Sequence, residues 1–175
     1  MAWTSKLPLF ACACILILSA YVIYDLNGKS FDFSDKQVVL IVSDSMDGDN
    51  HEYAIGSFPA DTLVMVQHLP DNEKRFLRVG DVIAYKDGSI LMHHRIVQVN
   101  PDSVYVHGDN NHSTEIVSYE GIDGKVVGTN WILGHVLAFI EGHFLAFLGI
   151  MFALCCGLIL CATHPFATER KEEAE

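Results

Sequence analysis

Two hydroxyls, two imidazoles and two carboxylates carry the clearest chemistry in this 175-residue chain. Ser43 and Ser45 stand two apart in Ser43-Asp44-Ser45-Met46, where the β-branched run 37–43 ends. A serine at a strand end can project its Oγ into a cleft while nearby backbone N–H groups face the same point, as acyl transfer requires. His93 and His94 lie in Leu91-Met92-His93-His94-Arg95-Ile96. Side chains alternate across a strand, so His93 and Arg95 share one face while Met92, His94 and Ile96 share the other. An imidazole between two apolar neighbours suits a general base, although a hydrogen-bonded core histidine fits the same pattern. The last group is His107-Gly108-Asp109-Asn110-Asn111, followed by Glu115. Its composition is that of a turn, and either Asp109 or Glu115 could fix a histidine tautomer and stabilise the imidazolium.

Metal chemistry finds less support. Two adjacent histidines cannot both reach one ion from a regular strand, and no cysteine or carboxylate stands at a zinc-like spacing beside them. All five cysteines (Cys12, Cys14, Cys155, Cys156 and Cys161) fall in apolar end blocks, so the middle of the chain has neither a disulfide framework nor thiolate ligands. The expectation is no metal and no organic cofactor.

The elements that must hold these residues are short strands. Runs at 37–43, 62–67, 81–85, 90–99, 103–107 and 125–129 are rich in β-branched residues and are broken by turn signals. Asp87-Gly88 is placed for a hairpin, and Asn100-Pro101-Asp102 for another turn. The middle shows no helical period, so the fold class expected is mostly β: a small antiparallel domain. Leu77-Arg78-Val79-Gly80-Asp81-Val82-Ile83 reads as a turn feeding one of its strands.

Two charge-free apolar blocks flank this domain, at 7–24 and 144–162. With 18 and 19 residues they are long enough, as helices, to cross a hydrocarbon core of about 30 Å. The first ends in Tyr21 and Tyr24 rather than in small residues, which favours a retained anchor over a cleaved signal peptide. The expected organisation is an N-terminus at 1–6, a transmembrane helix at 7–24, a β domain at 25–134, an interfacial segment at 135–143, a transmembrane helix at 144–162 and a charged tail at 163–175. Lys6, Arg170 and Lys171 favour the cytoplasm for both termini, which puts the β domain outside. Residues 25–134 hold 17 acidic against 8 basic residues, and a surface this negative argues against nucleic acid.

In combination these motifs resemble the signal peptidase I family, in the Ser-His branch found in archaea, the endoplasmic reticulum and some spore-forming bacteria. That branch shows, in order, Ser-x-Ser-Met, Gly-Asp-(Val/Ile) opening a strand, His-Arg within a strand, and Gly-Asp-Asn-Asn with a further acid six residues on. Here stand Ser43-Asp44-Ser45-Met46, Gly80-Asp81-Val82, His94-Arg95, Gly108-Asp109-Asn110-Asn111 and Glu115, closed by Gly124-Lys125-Val126-Val127-Gly128. The resemblance spans roughly residues 38–129. It implies Ser45 as nucleophile, His94 as base, Ser43 as an aid to the oxyanion hole, and Asp109 and Glu115 as the two acidic positions, with Glu115 favoured beside His94.

The resemblance further implies a membrane-bound serine endopeptidase that cleaves signal peptides from exported preproteins at small residues. It would sit in a plasma membrane near the export translocon. A dedicated processing peptidase, or an inactive β scaffold, would share the same outline. Two departures from the family pattern bear on the shape of the substrate groove more than on the chemistry. Met46 is followed by Asp47-Gly48-Asp49 rather than by x-Pro, and the later acid is Glu.

Overall fold

The computed structural model describes residues 12–13, 15–16, 19, 31–111 and 113–163. The chain divides into two units, one of Gly28–Ala138 and one that joins Met1–Asn27 to Phe139–Glu175.

The first unit is one antiparallel sheet of eight strands. In chain order these are β1 (Phe31–Phe33), β2 (Lys36–Leu40), β3 (Leu63–His68), β4 (Val82–Asp87), β5 (Ile90–Val99), β6 (Ser103–His107), β7 (Glu115–Ser118) and β8 (Ile122–Asn130). Their spatial order is β1-β2-β3-β8-β4-β5-β6-β7. Strands β5 and β6 have the bounds that periodicity gives. Strand β2 stops at Leu40, short of Ser43, and its residues are half-buried rather than buried. The ladder with β3 ends at Leu40↔Leu63, which leaves Val42 88% exposed and releases Ser43–Ser45 from sheet geometry. Two strands carry no legible run of their own, β1 and β7, and Glu115 opens β7 rather than lying in a loop. A four-residue helix, α1 (Asp71–Lys74), also stands where no helical period shows.

Both faces of the middle strands are covered. Val64, Val66, Val82, Ala84 and Val126 pack on one face with Ile41, Met46 and Phe58. Ile83, Tyr85, Ile96, Val104, Val106, Val117 and Ile122 pack on the other with Leu77. Strand β4 contributes alternately to the two clusters, so four successive residues, Val82 to Tyr85, are buried. Each fully buried aliphatic side chain contributes about 1.5–3 kcal/mol. The β4–β5 hairpin closes through Gly88-Ser89, one residue later than Asp87-Gly88, since Asp87 pairs with Ile90. Gly88 takes φ 61° at the first loop position, where a two-residue hairpin favours glycine.

Two helices follow the sheet, α2 (Trp131–Gly142) and α3 (Phe144–Thr163). The Asn130 side chain accepts a bond from Leu133 N–H at 2.9 Å and caps α2. Helix α2 takes in most of the segment read as interfacial, and α3 covers the second apolar block. Of the first block only residues 12, 13, 15, 16 and 19 are described, and these are helical. The expectation for the remainder of 7–24 lies outside the described residues. Among the described residues no single helix is long and apolar enough to cross a membrane; α2 and α3 meet that requirement only as a bent pair.

Candidate active site

Ser45 owes its position to its neighbour. Met46 is buried among Ile41, Phe58 and the valines of β3, and its carbonyl accepts bonds from Gly48 N–H (3.2 Å) and Phe58 N–H (2.9 Å). That anchor, with Asp47 N–H bonded to Asp44 C=O at 3.0 Å, turns the chain tightly at Ser45. The loop 108–111 then grips the turn from the far end of the motif series. Asn110 N–H donates to Ser45 C=O at 2.9 Å, and Asn110 Nδ2 to Asp44 C=O at 3.3 Å. Gly108 lies so close that a Cβ there would collide with the Ser45 carbonyl oxygen, which explains a glycine at that position. The Ser45 hydroxyl is 3.2 Å from the Ser43 hydroxyl.

Arg95 and Asp109 tie this loop to β5. Arg95 Nε donates to Asp109 Oδ1 at 2.7 Å and Nη2 to Oδ2 at 2.6 Å, a two-pronged pair with side chains 2% and 0% exposed. Nη1 donates to Ile55 C=O (2.8 Å) and Gly80 C=O (2.9 Å), and the guanidinium lies 4.9 Å from the Tyr53 ring centre. Ser57 Oγ donates a further bond of 2.6 Å to Asp109 Oδ2. Burial pushes the Asp109 carboxyl upward, but the bonds and charge of Arg95 and the Ser57 hydroxyl outweigh it and hold the carboxyl below its usual range. The Asp109 carboxylate is thus occupied by Arg95 and Ser57. It makes no bond to His94.

His94 lies on the opposite face of β5 from Arg95, between Met92 and Ile96. Its side chain is 1% exposed. Nδ1 is 2.7 Å from Tyr85 Oη, and Tyr85 Oη donates at 2.5 Å to Glu115 Oε2. The Glu115 carboxylate is 3.9 Å from Nδ1, so the acid reaches the imidazole through a phenol rather than directly. Nε2 is buried and has no hydrogen-bond partner. Burial depresses the His94 pKa, Glu115 and Asp109 oppose that, and His107 adds to it. His93 is also buried, its pKa lowered to about 4 by desolvation and by His94.

Four of the six residues singled out in the sequence therefore fall into two bonded groups, Ser43 with Ser45 and His94 with Glu115 across Tyr85, while His93 Nε2 is buried without a partner. Asp109 belongs to a third group, centred on Arg95. No hydrogen bond joins Ser45 to His94 among the described residues. The groups are nonetheless close in the chain's connectivity, because His107, paired with Arg95, leads straight into Gly108 under Ser45.

Tyr85 is the participant that motif reading missed. The signal was available in the hairpin register, since Tyr85 pairs with Met92 and Ile83 with His94, which puts Tyr85 diagonal to His94 on one face. Among the described residues no group of three or more His, Cys, Asp or Glu could hold a metal ion. Comparison with protein-family models and with curated proteins finds no match to the chain.

Proposed function

We propose that this chain is a membrane-bound serine endopeptidase of the signal peptidase type, acting on the signal peptides of exported preproteins. The observation that carries the reading is the contact between motifs far apart in the chain: Ser45 on Gly108 and Asn110, Asp109 on Arg95, Arg95 on Gly80, and His94 to Glu115 through Tyr85. His94 keeps a buried Nε2 without a partner beside Arg95, which organises the serine loop; His93 Nε2 is buried and unpartnered as well, and what sets His94 apart is its link to Glu115 through Tyr85.

In the mechanism, His94 Nε2 accepts the Ser45 hydroxyl proton as Oγ attacks the scissile carbonyl carbon. The Ser45 backbone N–H and the Ser43 hydroxyl hold the resulting oxyanion, each donor worth about 3–4 kcal/mol in comparable sites. The imidazolium returns its proton to the leaving amine. Water then hydrolyses the acyl-serine, again with His94 as base. Apolar helices on both enzyme and preprotein would hold them in one bilayer and raise the effective concentration of the scissile bond. The β domain is assigned to the extracytoplasmic side and the helices to the membrane.

A scaffold without activity is favoured by one observation, the Ser45 hydroxyl facing Ser43 rather than His94. The histidine pair separates the readings. In a cleavage assay with a membrane-tethered preprotein, His94→Ala is expected to be inactive and His93→Ala to keep most activity. No cleavage by wild type or by either variant would leave the scaffold reading standing, and equal cleavage by all three would dismiss His94 as the base.

A further inference from the structure

We propose that Tyr85 is a positioning residue for the base: its phenol links the Glu115 carboxylate to His94, holds a proton on Nδ1 and so leaves Nε2 as the basic nitrogen. The catalytic consequence rests on the peptidase reading, whereas the proton placement follows from counting donors. A phenol has one hydrogen. Tyr85 directs it to Glu115 Oε2 at 2.5 Å. The 2.7 Å contact with His94 is then a bond in which Nδ1–H donates and the phenol oxygen accepts. A neutral imidazole carries one N–H, so the lone pair is on Nε2. That is the nitrogen that is buried and unpartnered.

The surroundings hold this chain of bonds in place. Tyr85 is 4% exposed, packed with Ile83, Ile96 and Ile122, so its ring has little freedom to turn away. Burial and the Glu115 charge raise the Tyr85 pKa far above the ordinary tyrosine range, and the phenol stays protonated through neutral pH. Glu115 approaches from the solvent side, along a depression of about 450 Å³ lined by Tyr85, Lys86, Asp87, Glu115 and Ile116. A direct acid–imidazole bond would need that carboxylate, 3.9 Å from Nδ1, to displace the phenol oxygen between them. The phenol carries its influence inward while the charge stays at the surface.

The test uses the full-length chain in detergent with ¹⁵N-labelled histidine, the His94 signals being assigned by their loss in His94→Asn. The wild type is expected to show a protonated Nδ1 and an unprotonated Nε2. Tyr85→Phe keeps the ring volume and removes only the oxygen. It should abolish the Nδ1–H preference and lower kcat/KM by about 10- to 100-fold, the worth of one bond to a charged group. The acid limb of the pH profile should move to lower pH, because the imidazolium loses its acceptor. Glu115, Asp109, His107 and His93 still surround it as before.

Glu115→Gln is expected to preserve the tautomer, since the amide oxygen accepts from Tyr85, while shifting the limb in the same direction. The double variant should be no slower than Tyr85→Phe alone. An Nε2–H tautomer in the wild type, an unchanged tautomer in Tyr85→Phe, or costs that multiply in the double variant would overturn the proposal. If the tautomer behaves as stated but no variant and no wild type cleaves any preprotein, the bonded chain stands and the peptidase reading falls.

Discussion

Replacing Asp109 by Ala leaves a cation in the interior. The Asp109 carboxylate accepts two bonds from Arg95 and one from Ser57, and its side chain is fully buried. Arg95 would keep its bonds to Ile55 and Gly80 and its contact with the Tyr53 ring, but not its counter-charge. Removing one partner of a buried ion pair costs about 3–5 kcal/mol, and the remaining carbonyls and ring place this case near the lower end. For a domain of this size each kcal/mol moves Tm by about 4–8 °C, so a fall of about 12–25 °C is expected for the β domain. Asp109→Asn keeps the shape and one acceptor, and should fall less.

The pH dependence has a definite sign. The folded Asp109 carboxyl titrates below its unfolded value, so the pair's stabilisation is complete above the unfolded pKa of about 3.9. It is lost as pH drops through the folded value. Thermal unfolding of the purified chain, followed by circular dichroism at pH 7 and at pH 3, measures both effects. An Ala variant within about 2 °C of wild type at pH 7 would refute the ion-pair account. A stable but inactive Asp109→Asn, beside a near-normal Glu115→Gln, would move the catalytic acid from Glu115 to Asp109.

Two further outcomes are expected. Gly108→Ala places a methyl against the Ser45 carbonyl, and displacing Ser45 by about 1 Å should lower the cleavage rate about 100-fold, read in the same preprotein assay. A reporter fused after Glu175 should score as cytoplasmic, and protease added outside intact cells should cut within residues 25–134; the reverse pattern would contradict the topology.

Much of the sheet was legible because its strands obey period two. The runs at 90–99 and 103–107 reproduce β5 and β6, and alternation separates His94 from Arg95. The illegible parts have physical reasons. Strands β1 and β7 are three and four residues long at the sheet edges, too short for a pattern, and are defined by pairing with β2 and β6. The end of β2 at Leu40 is set by the Met46 anchor and the turn that follows, not by any break in the apolar run. The phenol between Glu115 and His94 depends on the register of one hairpin and on the curl that brings β7 towards β4. A motif names residues without those distances. Likewise, 19 apolar residues state a length, whereas the break at His143 between α2 and α3 is a property of the folded chain.

The central claim is that Ser45 is a nucleophile served by His94. Its most direct measurement is product mapping by mass spectrometry after purified wild-type and Ser45→Ala proteins are incubated with a membrane-tethered preprotein bearing alanine at its cleavage site. The account predicts a single cut after the alanine with wild type. With Ser45→Ala, folded and equally stable, the rate should fall by about a millionfold, to background. Cleavage at the same bond by Ser45→Ala at a wild-type rate would contradict it.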